Sequence, residues 1–301
     1  MMRLAEEIKK EALNLGFSHC GIAKAEPLVK EKAAFEESLR HGYQASMTFL
    51  ERNVDTRFNP ELLLPHCKSV IVVLFYYPIP QECHSDYKVA RYAYLQDYHV
   101  FVKEKLEKLG AFLSQKCPEA QWRVTVDSST ISEKSWAVRA GVGHIGKNSL
   151  LQNEMGSYFM IGTLLTDLEL DYDKPTPADC VDCDLCMRSC PVQAIEEPYR
   201  VNAAKCIAYH NVEDKSRDAN GESFHHWVFG CDVCQEVCPK NQKISYNLSA
   251  TQYSSLFLQF KNEDFENLDE TGFRHYFGGH CAARRKYAGF MFNIEKVKNE
   301  N

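Results

Sequence analysis

Eight of the chain's 13 cysteines fall in one stretch, and their spacing is that of metal ligands. The first four follow the pattern C-x2-C-x2-C-x3-C-P, which ends at Pro191, and a shorter run, C-x2-C-x3-C-P, ends at Pro239. Thiolates so spaced bind soft metal centres, because short turns present successive sulfurs to one ion or cluster. The eight residues are Cys180, Cys183, Cys186, Cys190, Cys206, Cys231, Cys234 and Cys238.

The doubled C-x3-C-P step favours two 4Fe–4S clusters. In such a run the first three thiolates bind one cluster and the fourth binds the other cluster. Cluster one is therefore assigned Cys180, Cys183, Cys186 and Cys238, and cluster two is assigned Cys190, Cys206, Cys231 and Cys234. Two zinc sites could also use eight thiolates, but zinc does not need the C-x3-C-P step. Disulfides are disfavoured, because nothing in the sequence indicates an oxidising compartment.

The composition is that of a globular protein with a substantial core. The chain has 301 residues, 45% hydrophobic content and a formal net charge of −6. This charge excludes a global basic surface, so any contact with nucleic acid must use a local patch. The N-terminus lacks the apolar segment of a signal peptide, and no apolar run is long enough to cross a membrane. The sequence predicts a cytoplasmic protein.

Hydrophobic periodicity and breaker residues predict several helices and strands before the cysteine stretch. The predicted helices cover 3–15, 28–41 and 98–116, with a further helix that begins near Ser132. The predicted strands cover 17–25, 69–77, 122–129 and 157–166.

Three polar residues lie where these elements could present them to a ligand. Asp127 lies at the carboxyl end of the predicted strand 122–129, where side chains of a sheet often face a ligand crevice. Tyr98 and His99 lie at the start of a predicted helix. Two alternatives stay open: Asp127 or Ser128 caps the following helix, and His99 is a surface or capping residue.

A glycine-rich loop follows that helix and could approach a ligand closely. Gly141, Gly143 and Gly146 allow close backbone approach, while Lys147 and Asn148 supply hydrogen-bond donors. The spacing is G-x-G-x-x-G, but the loop does not open a helix directly after a strand. A dinucleotide site is therefore not favoured.

Two basic features could bind anions. Arg57, in a polar and turn-rich segment, fits an anion site or an ordinary surface arginine. Between Arg274 and Lys298 the chain has six Lys or Arg residues and one acid, with aromatic residues interleaved. This segment is either a solvated face or a phosphate-binding surface formed by Arg284, Arg285 and Lys286.

Several of these segments together resemble the epoxyqueuosine reductase family. They are RNVDTRFNPELLLPHCKSVIVV, ARYAYLQDYH, VDSSTISEKSWAVRAGVGHIGKNSLL and the two cysteine runs, in the order and spacing of that family. The resemblance covers residues 3–295. It implies an α+β fold class, with a nitroreductase-like α/β cobalamin-binding domain and a bacterial ferredoxin-like module holding two 4Fe–4S clusters.

The resemblance also implies an activity and its residues. The family reduces the epoxide of epoxyqueuosine at the wobble position of tRNA, the last step of queuosine biosynthesis, through Co(I) cobalamin fed by the two clusters. Asp127 takes the place of the proton donor, and we expect an apolar site that keeps its carboxyl partly protonated. The loop residues Gly141, Gly143, Gly146, Lys147 and Asn148 inherit the corrinoid-binding role. Arg57, Tyr98, His99 and Asp127 match positions near the corrinoid or substrate.

The implied partners are a tRNA anticodon loop and an external ferredoxin or flavodoxin, with the protein acting as a monomer. The expected domains are a catalytic cobalamin-binding domain over 1–170, the cluster module over 171–245, and a basic segment over 246–301. That last segment is expected to pack back on the core without a helical-repeat extension. Two other functions stay open: a corrinoid iron–sulfur reductase of a small molecule, and a cluster-only electron carrier.

Overall fold

The computed structural model describes residues 3–77, 84–127, 130–180, 182–218, 221–242 and 256–300. Ser128, considered above as a helix cap, lies outside these ranges. The chain divides into two compact units, each assembled from separate stretches of sequence. Unit one comprises residues 1–41, 49–77 and 98–183, and unit two comprises residues 42–48, 78–97 and 184–301. The domain bounds at residues 170 and 245 stay a prediction.

Helices and strands are described in both units. The helices are α1 Leu4–Asn14, α2 Val29–Arg40, α3 Val54–Phe58, α4 Tyr98–Lys116, α5 Glu133–Arg139, α6 Leu185–Ser189, α7 Val233–Glu236, α8 Leu256–Gln259, α9 Asn262–Glu266, α10 Glu270–Phe277 and α11 Lys286–Lys298. The strands are β1 His19–Lys24, β2 Ser69–Tyr76, β3 Lys88–Val89, β4 Trp122–Thr125, β5 His144–Ile145, β6 Leu151–Gln152, β7 Phe159–Thr166, β8 Ile195–Glu197, β9 Arg200–Val201 and β10 Trp227–Phe229.

Unit one is built on a four-stranded sheet with the order β1-β2-β7-β4. Every pair of neighbouring strands in it is antiparallel. Strand β2 is central and is buried along nearly its whole length, as its unbroken run of Val, Ile, Leu and Phe requires. The rule that ligands bind at the carboxyl ends of strands applies to parallel sheets. It therefore does not predict a ligand site at Asp127 in this antiparallel sheet.

The two faces of β2 have different partners, because successive side chains alternate across a strand. Val70, Val72 and Leu74 belong to a buried cluster that includes Trp136 and Ala137 of α5. On the opposite face, Gly162 of β7 leaves room for α4. A Cβ at Gly162 would lie 2.7 Å from Cδ1 of Leu106, so this glycine allows α4 to pack directly on the sheet.

Unit two has little sheet and a core of aromatic rings. Phe257, at its centre, is fully buried and packs near the rings of Phe265, Phe277 and Phe290. Strand β10 pairs in parallel with the two-residue strand β3. The chain also forms one turn of π-helix, Tyr209–Glu213, just after Cys206. The C-terminal helix α11 contacts β10 through its buried residue Asn293, which donates to the carbonyl of Val228.

The helices and strands predicted for unit one are confirmed, with one exception. The strand predicted over 122–129 ends at Thr125. Asp127 has a φ of 44°, in the left-handed region, which an extended strand cannot include. The chain therefore turns away from the sheet before Asp127. Across the described part of the chain, we find no helix long and apolar enough to span a bilayer.

Candidate functional site

Asp127 meets Tyr98 and His99 in unit one. The hydroxyl of Tyr98 donates to Oδ2 of Asp127 at 2.7 Å, and Nε2 of His99 lies 2.9 Å from the same oxygen. The first two residues of α4 supply both partners, and their rings stack with centroids 4.1 Å apart. The structure thus brings together three residues that the sequence singled out separately. The His99 side chain is 37% exposed, and its ring contacts the Asp127 carboxylate.

Two further expectations about Asp127 are corrected. The helix cap is Ser132, and the Asp127 side chain does not cap α5. The expectation of an apolar site is also wrong, because the Asp127 side chain is 58% exposed and its neighbours are polar.

Glu133, which belongs to no motif recognisable in the sequence, holds the backbone of Asp127. Its Oε1 accepts a hydrogen bond from the Asp127 amide at 2.7 Å. Desolvation raises the pKa of Glu133 to about 8; the Asp127 amide works in the opposite direction, and the negative charge of Asp127 adds to the rise. An acid six residues after the aspartate was visible in the sequence, but an acid in the first turn of a helix is common for electrostatic reasons alone.

The backbone of Arg57 contacts the start of α5, next to this site. Its carbonyl accepts a hydrogen bond from the amide of Ser132, which directly precedes Glu133. The guanidinium lies over the ring of Phe35 and donates from Nη2 to the carbonyl of Phe49. Its Nε is buried without a hydrogen-bond partner, and desolvation lowers the pKa of the group. A buried donor without an acceptor fits an anionic ligand better than a solvated surface arginine.

The glycine-rich loop is a tight hairpin in which β5 pairs with β6. A Cβ at Gly143 would lie 2.8 Å from the Gln152 carbonyl, and one at Gly146 would overlap the Gln152 side chain. Gly141 has a φ of 72°, and a Cβ there would overlap the Lys174 carbonyl. All three glycines are thus required by packing within the chain. This packing explains their presence without a ligand.

The two polar residues of the loop differ in exposure. Asn148 is buried, and its Oδ1 accepts a hydrogen bond from the amide of Leu150 at 3.3 Å. Lys147 is half-buried. Lys134 of α5 donates to the carbonyl of Ser149 at 2.7 Å, so α5 contacts both the loop and, through Glu133, Asp127.

The four cysteines assigned to cluster two converge within unit two. Burial raises the pKa of the Cys206 thiol, and it raises that of Cys231 to about 12. It also raises the pKa of Cys234, and the charges of the other three cysteines add to the effect there. Such mutual charge effects require the four sulfurs to lie near one another. The amide of Ala194 also donates to Sγ of Cys190 at 3.3 Å.

The cysteines assigned to cluster one are divided between the units. Cys180 and Cys183 belong to unit one, whereas Cys186 and Cys238 belong to unit two. In unit one, Nε2 of Gln152 donates to Sγ of Cys180 at 3.0 Å.

The basic C-terminal segment is largely neutralised. Arg285 is only 6% exposed, and its guanidinium donates to the carbonyls of Asp214 and Gly289. It stabilises the interior and cannot reach a phosphate. Arg284 forms a two-pronged ion pair with Glu213, with both N–O distances at 2.6 Å. Further pairs join Arg274 to Glu270, Lys296 to Glu300 and Lys298 to Glu266.

Two sequence families match the chain. Residues 57–128 match the family described as "Epoxyqueuosine reductase QueG, DUF1730", and residues 179–241 match the "4Fe-4S double cluster binding domain". The first match contains Arg57, Tyr98, His99 and Asp127, and the second contains all eight cysteines. The second match supports iron–sulfur clusters over the zinc alternative.

Curated relatives are similar over nearly the whole chain. The epoxyqueuosine reductase of Cellulophaga algicola is 39% identical over 302 residues, which cover 97% of this chain and 97% of that protein. The epoxyqueuosine reductase of Cyclobacterium marinum is 38% identical over 304 residues, covering 97% of this chain and 96% of that protein.

Solved structures agree with the fold. An epoxyqueuosine reductase crystallised with an epoxyqueuosine-modified tRNA-Tyr stem loop superposes with a TM-score of 0.87 at 26% identity, covering 98% of this chain and 80% of that chain. The enzyme from Streptococcus thermophilus gives the same score and identity, with 98% and 81% coverage. A catabolic reductive dehalogenase shares the fold, with a TM-score of 0.51 at 18% identity. The match covers 80% of this chain and 32% of that chain.

The predicted α+β fold class is confirmed by these superpositions. The full-length similarity supports the resemblance that the motifs indicated. The chain therefore belongs to the epoxyqueuosine reductase family, whose members are oxidoreductases.

Proposed function

We propose that this protein reduces the epoxide of epoxyqueuosine at the wobble position of tRNA and so completes queuosine synthesis. The observation that carries the proposal is the Asp127 carboxylate held by Tyr98 and His99, within the segment that matches the epoxyqueuosine reductase family. The solved relative with a modified tRNA stem loop supports the choice of substrate. Conversion of an epoxide to an alkene consumes two electrons and two protons and releases water, so the site needs both an electron source and a proton donor.

The electron source is the double-cluster domain. Cluster one is proposed to be held by Cys180, Cys183, Cys186 and Cys238, and cluster two by Cys190, Cys206, Cys231 and Cys234. The convergence of the cluster-two thiols supports this division. The raised pKa values of Cys206, Cys231 and Cys234 mean that ionised thiolates are costly in this interior without a metal, and coordination to iron offsets that cost. The external donor is proposed to be a ferredoxin or flavodoxin.

Cobalamin is the proposed cofactor of unit one. The buried, unpartnered Nε of Arg57 fits an anionic group such as the phosphate of the corrinoid's nucleotide tail. Tyr98, His99, Asp127 and the hairpin formed by Gly141, Gly143, Gly146, Lys147 and Asn148 are the other residues proposed to hold it. When bound, this cofactor supplies a reducible cobalt centre that is strongly nucleophilic in its Co(I) form.

Asp127 is proposed to deliver the proton to the epoxide oxygen. Tyr98 and His99 hold the same carboxylate oxygen, so they fix the direction of the carboxyl group, and His99 can resupply the proton. Glu133 fixes the backbone amide of the same residue. The chain's own residues thereby orient the acid before the substrate arrives, which is how enzymes reduce the cost of positioning a catalytic group.

The tRNA surface is proposed to include Arg284 and Lys286, but not the buried Arg285. Arg284 would exchange its ion pair with Glu213 for a phosphate, so its contribution to affinity is smaller than that of an unpaired arginine. We propose that the protein acts in the cytoplasm as a monomer.

The test is an assay of the anaerobically reconstituted protein on tRNA that carries epoxyqueuosine. We expect loss of one oxygen from the modified base, detected by mass spectrometry of the digested tRNA, and a conversion by Asp127→Asn that is about 10²- to 10⁴-fold slower. Reduction of an organohalide but not of the tRNA would instead establish a small-molecule reductase. Iron–sulfur signals without corrinoid uptake or conversion would establish an electron carrier.

A further inference from the structure

Gln152 connects the glycine-rich hairpin to a cysteine of cluster one. Its side chain is buried, with 3% exposure, and Nε2 donates to Sγ of Cys180 at 3.0 Å. Gly146 lies against the same amide so closely that a Cβ there would overlap Nε2. The carboxamide is therefore confined between Gly146 and the sulfur.

The position of Gln152 is fixed by the backbone as well. It lies on β6, opposite His144 of β5, in the hairpin proposed to bind the corrinoid. Its carbonyl lies against Gly143, where a Cβ would be 2.8 Å away. Two of the three loop glycines thus make room for Gln152. This close packing explains why the hairpin needs glycine where it faces Gln152.

A hydrogen bond to a cluster thiolate affects the cluster's reduction potential. Reduction adds negative charge to the cluster and its sulfurs, and an N–H donor stabilises that charge. Removing the donor should therefore lower the potential. An amide is neutral at every accessible pH, so its effect does not depend on protonation.

We propose that Gln152 is a positioning residue that sets the reduction potential of cluster one through its N–H···S bond and ties the glycine-rich hairpin to Cys180. The inference rests on the proposed function in one respect, the assignment of Cys180 as a cluster ligand. It adds a role for a residue that lies outside both cysteine runs. It also gives Gly146 a role in electron transfer, because any side chain there would push the amide away from the sulfur.

The test is a redox titration of the reconstituted protein, in which electron paramagnetic resonance follows each cluster. Gln152→Leu should shift the midpoint potential of one cluster to a more negative value and leave the other unchanged. Gln152→Glu, which conserves volume but replaces the donor by a carboxyl group, should shift it in the same direction. The matched control is Asn153→Leu, which removes a buried carboxamide that bonds to the Val142 carbonyl and not to sulfur.

Gly146→Ala provides an independent test, because it leaves the amide in the chain but displaces it. We expect a negative shift in the midpoint potential of the same cluster. The double variant with Gln152→Leu should show no further shift, because both changes break the same N–H···S bond. Unchanged potentials in Gln152→Leu and Gln152→Glu, with both cluster signals intact, would overturn the inference alone. Wild-type protein without iron–sulfur signals would overturn the cluster assignment and the inference together.

Discussion

The backbone amide of Asp127 donates to the carboxylate of Glu133 across 2.7 Å, joining the second residue after β4 to the first residue of α5. Asp127 adopts a left-handed φ of 44°, which is uncommon for residues other than glycine. The Glu133 contact offsets part of this cost. The proposed proton donor is therefore held at its side chain by Tyr98 and His99 and at its backbone by Glu133.

Asp127→Asn should lower turnover on the modified tRNA by about 10²- to 10⁴-fold, the usual contribution of a general acid. The amide keeps the size and the hydrogen bonds of the carboxyl group but does not deliver a proton. Cluster spectra should match wild type, and they can be measured on the same sample. Wild-type turnover in this variant would assign the proton to another group.

Glu133→Gln should change how stability depends on pH. The folded pKa of about 8 lies above the ordinary value of 4.5, so the folded state binds the proton more tightly than the unfolded state. Stability should therefore fall as pH rises from about 4.5 to about 8, and stay lower above that range. The glutamine variant should lack this component. Thermal unfolding across this range measures it, and parallel curves for the two proteins would contradict the prediction.

Cys190→Ser should remove cluster two and leave cluster one. Cys190 follows the first three cysteines in sequence, yet its charge acts on Cys206, Cys231 and Cys234. Iron content should fall from about eight to about four atoms per chain, with one set of spectral signals lost. Cys117→Ser, outside the cluster runs, is the control and should keep full iron content. Loss of cluster one alone would reverse the assignment.

Lys286→Ala and Arg284→Ala should each weaken tRNA binding and reduce the slope of log affinity against log salt by about 0.7 to 0.9, if each residue neutralises one phosphate. Binding titrations at several salt concentrations measure both effects. Lys10→Ala, an exposed charge on α1, is the matched control. Equal affinities and slopes for all four proteins would exclude the C-terminal segment from the tRNA surface.

Arg285→Ala should destabilise the protein instead of acting on tRNA alone. The guanidinium is buried and bonds to the carbonyls of Asp214 and Gly289 and to Oδ1 of Asn293. Its removal leaves the Asp214 carbonyl and Oδ1 of Asn293 without this donor, and each such loss typically costs about 1–3 kcal/mol. Chemical denaturation should show a lower free energy of unfolding, whereas Lys286→Ala should leave it unchanged.

The sequence by itself determined the family, the double-cluster domain and most helices and strands of unit one, because these depend on local spacing and periodicity. The tertiary structure decided which polar residues meet. Tyr98 and His99 reach Asp127 from a different element, and Gln152 reaches Cys180 from a distant strand, so no local pattern encodes either contact. Burial was also decided only by folding. Arg284 and Arg285 are neighbours of the same type, yet one pairs at the surface and the other stabilises the interior, because helix packing in unit two determines which of the two is excluded from water.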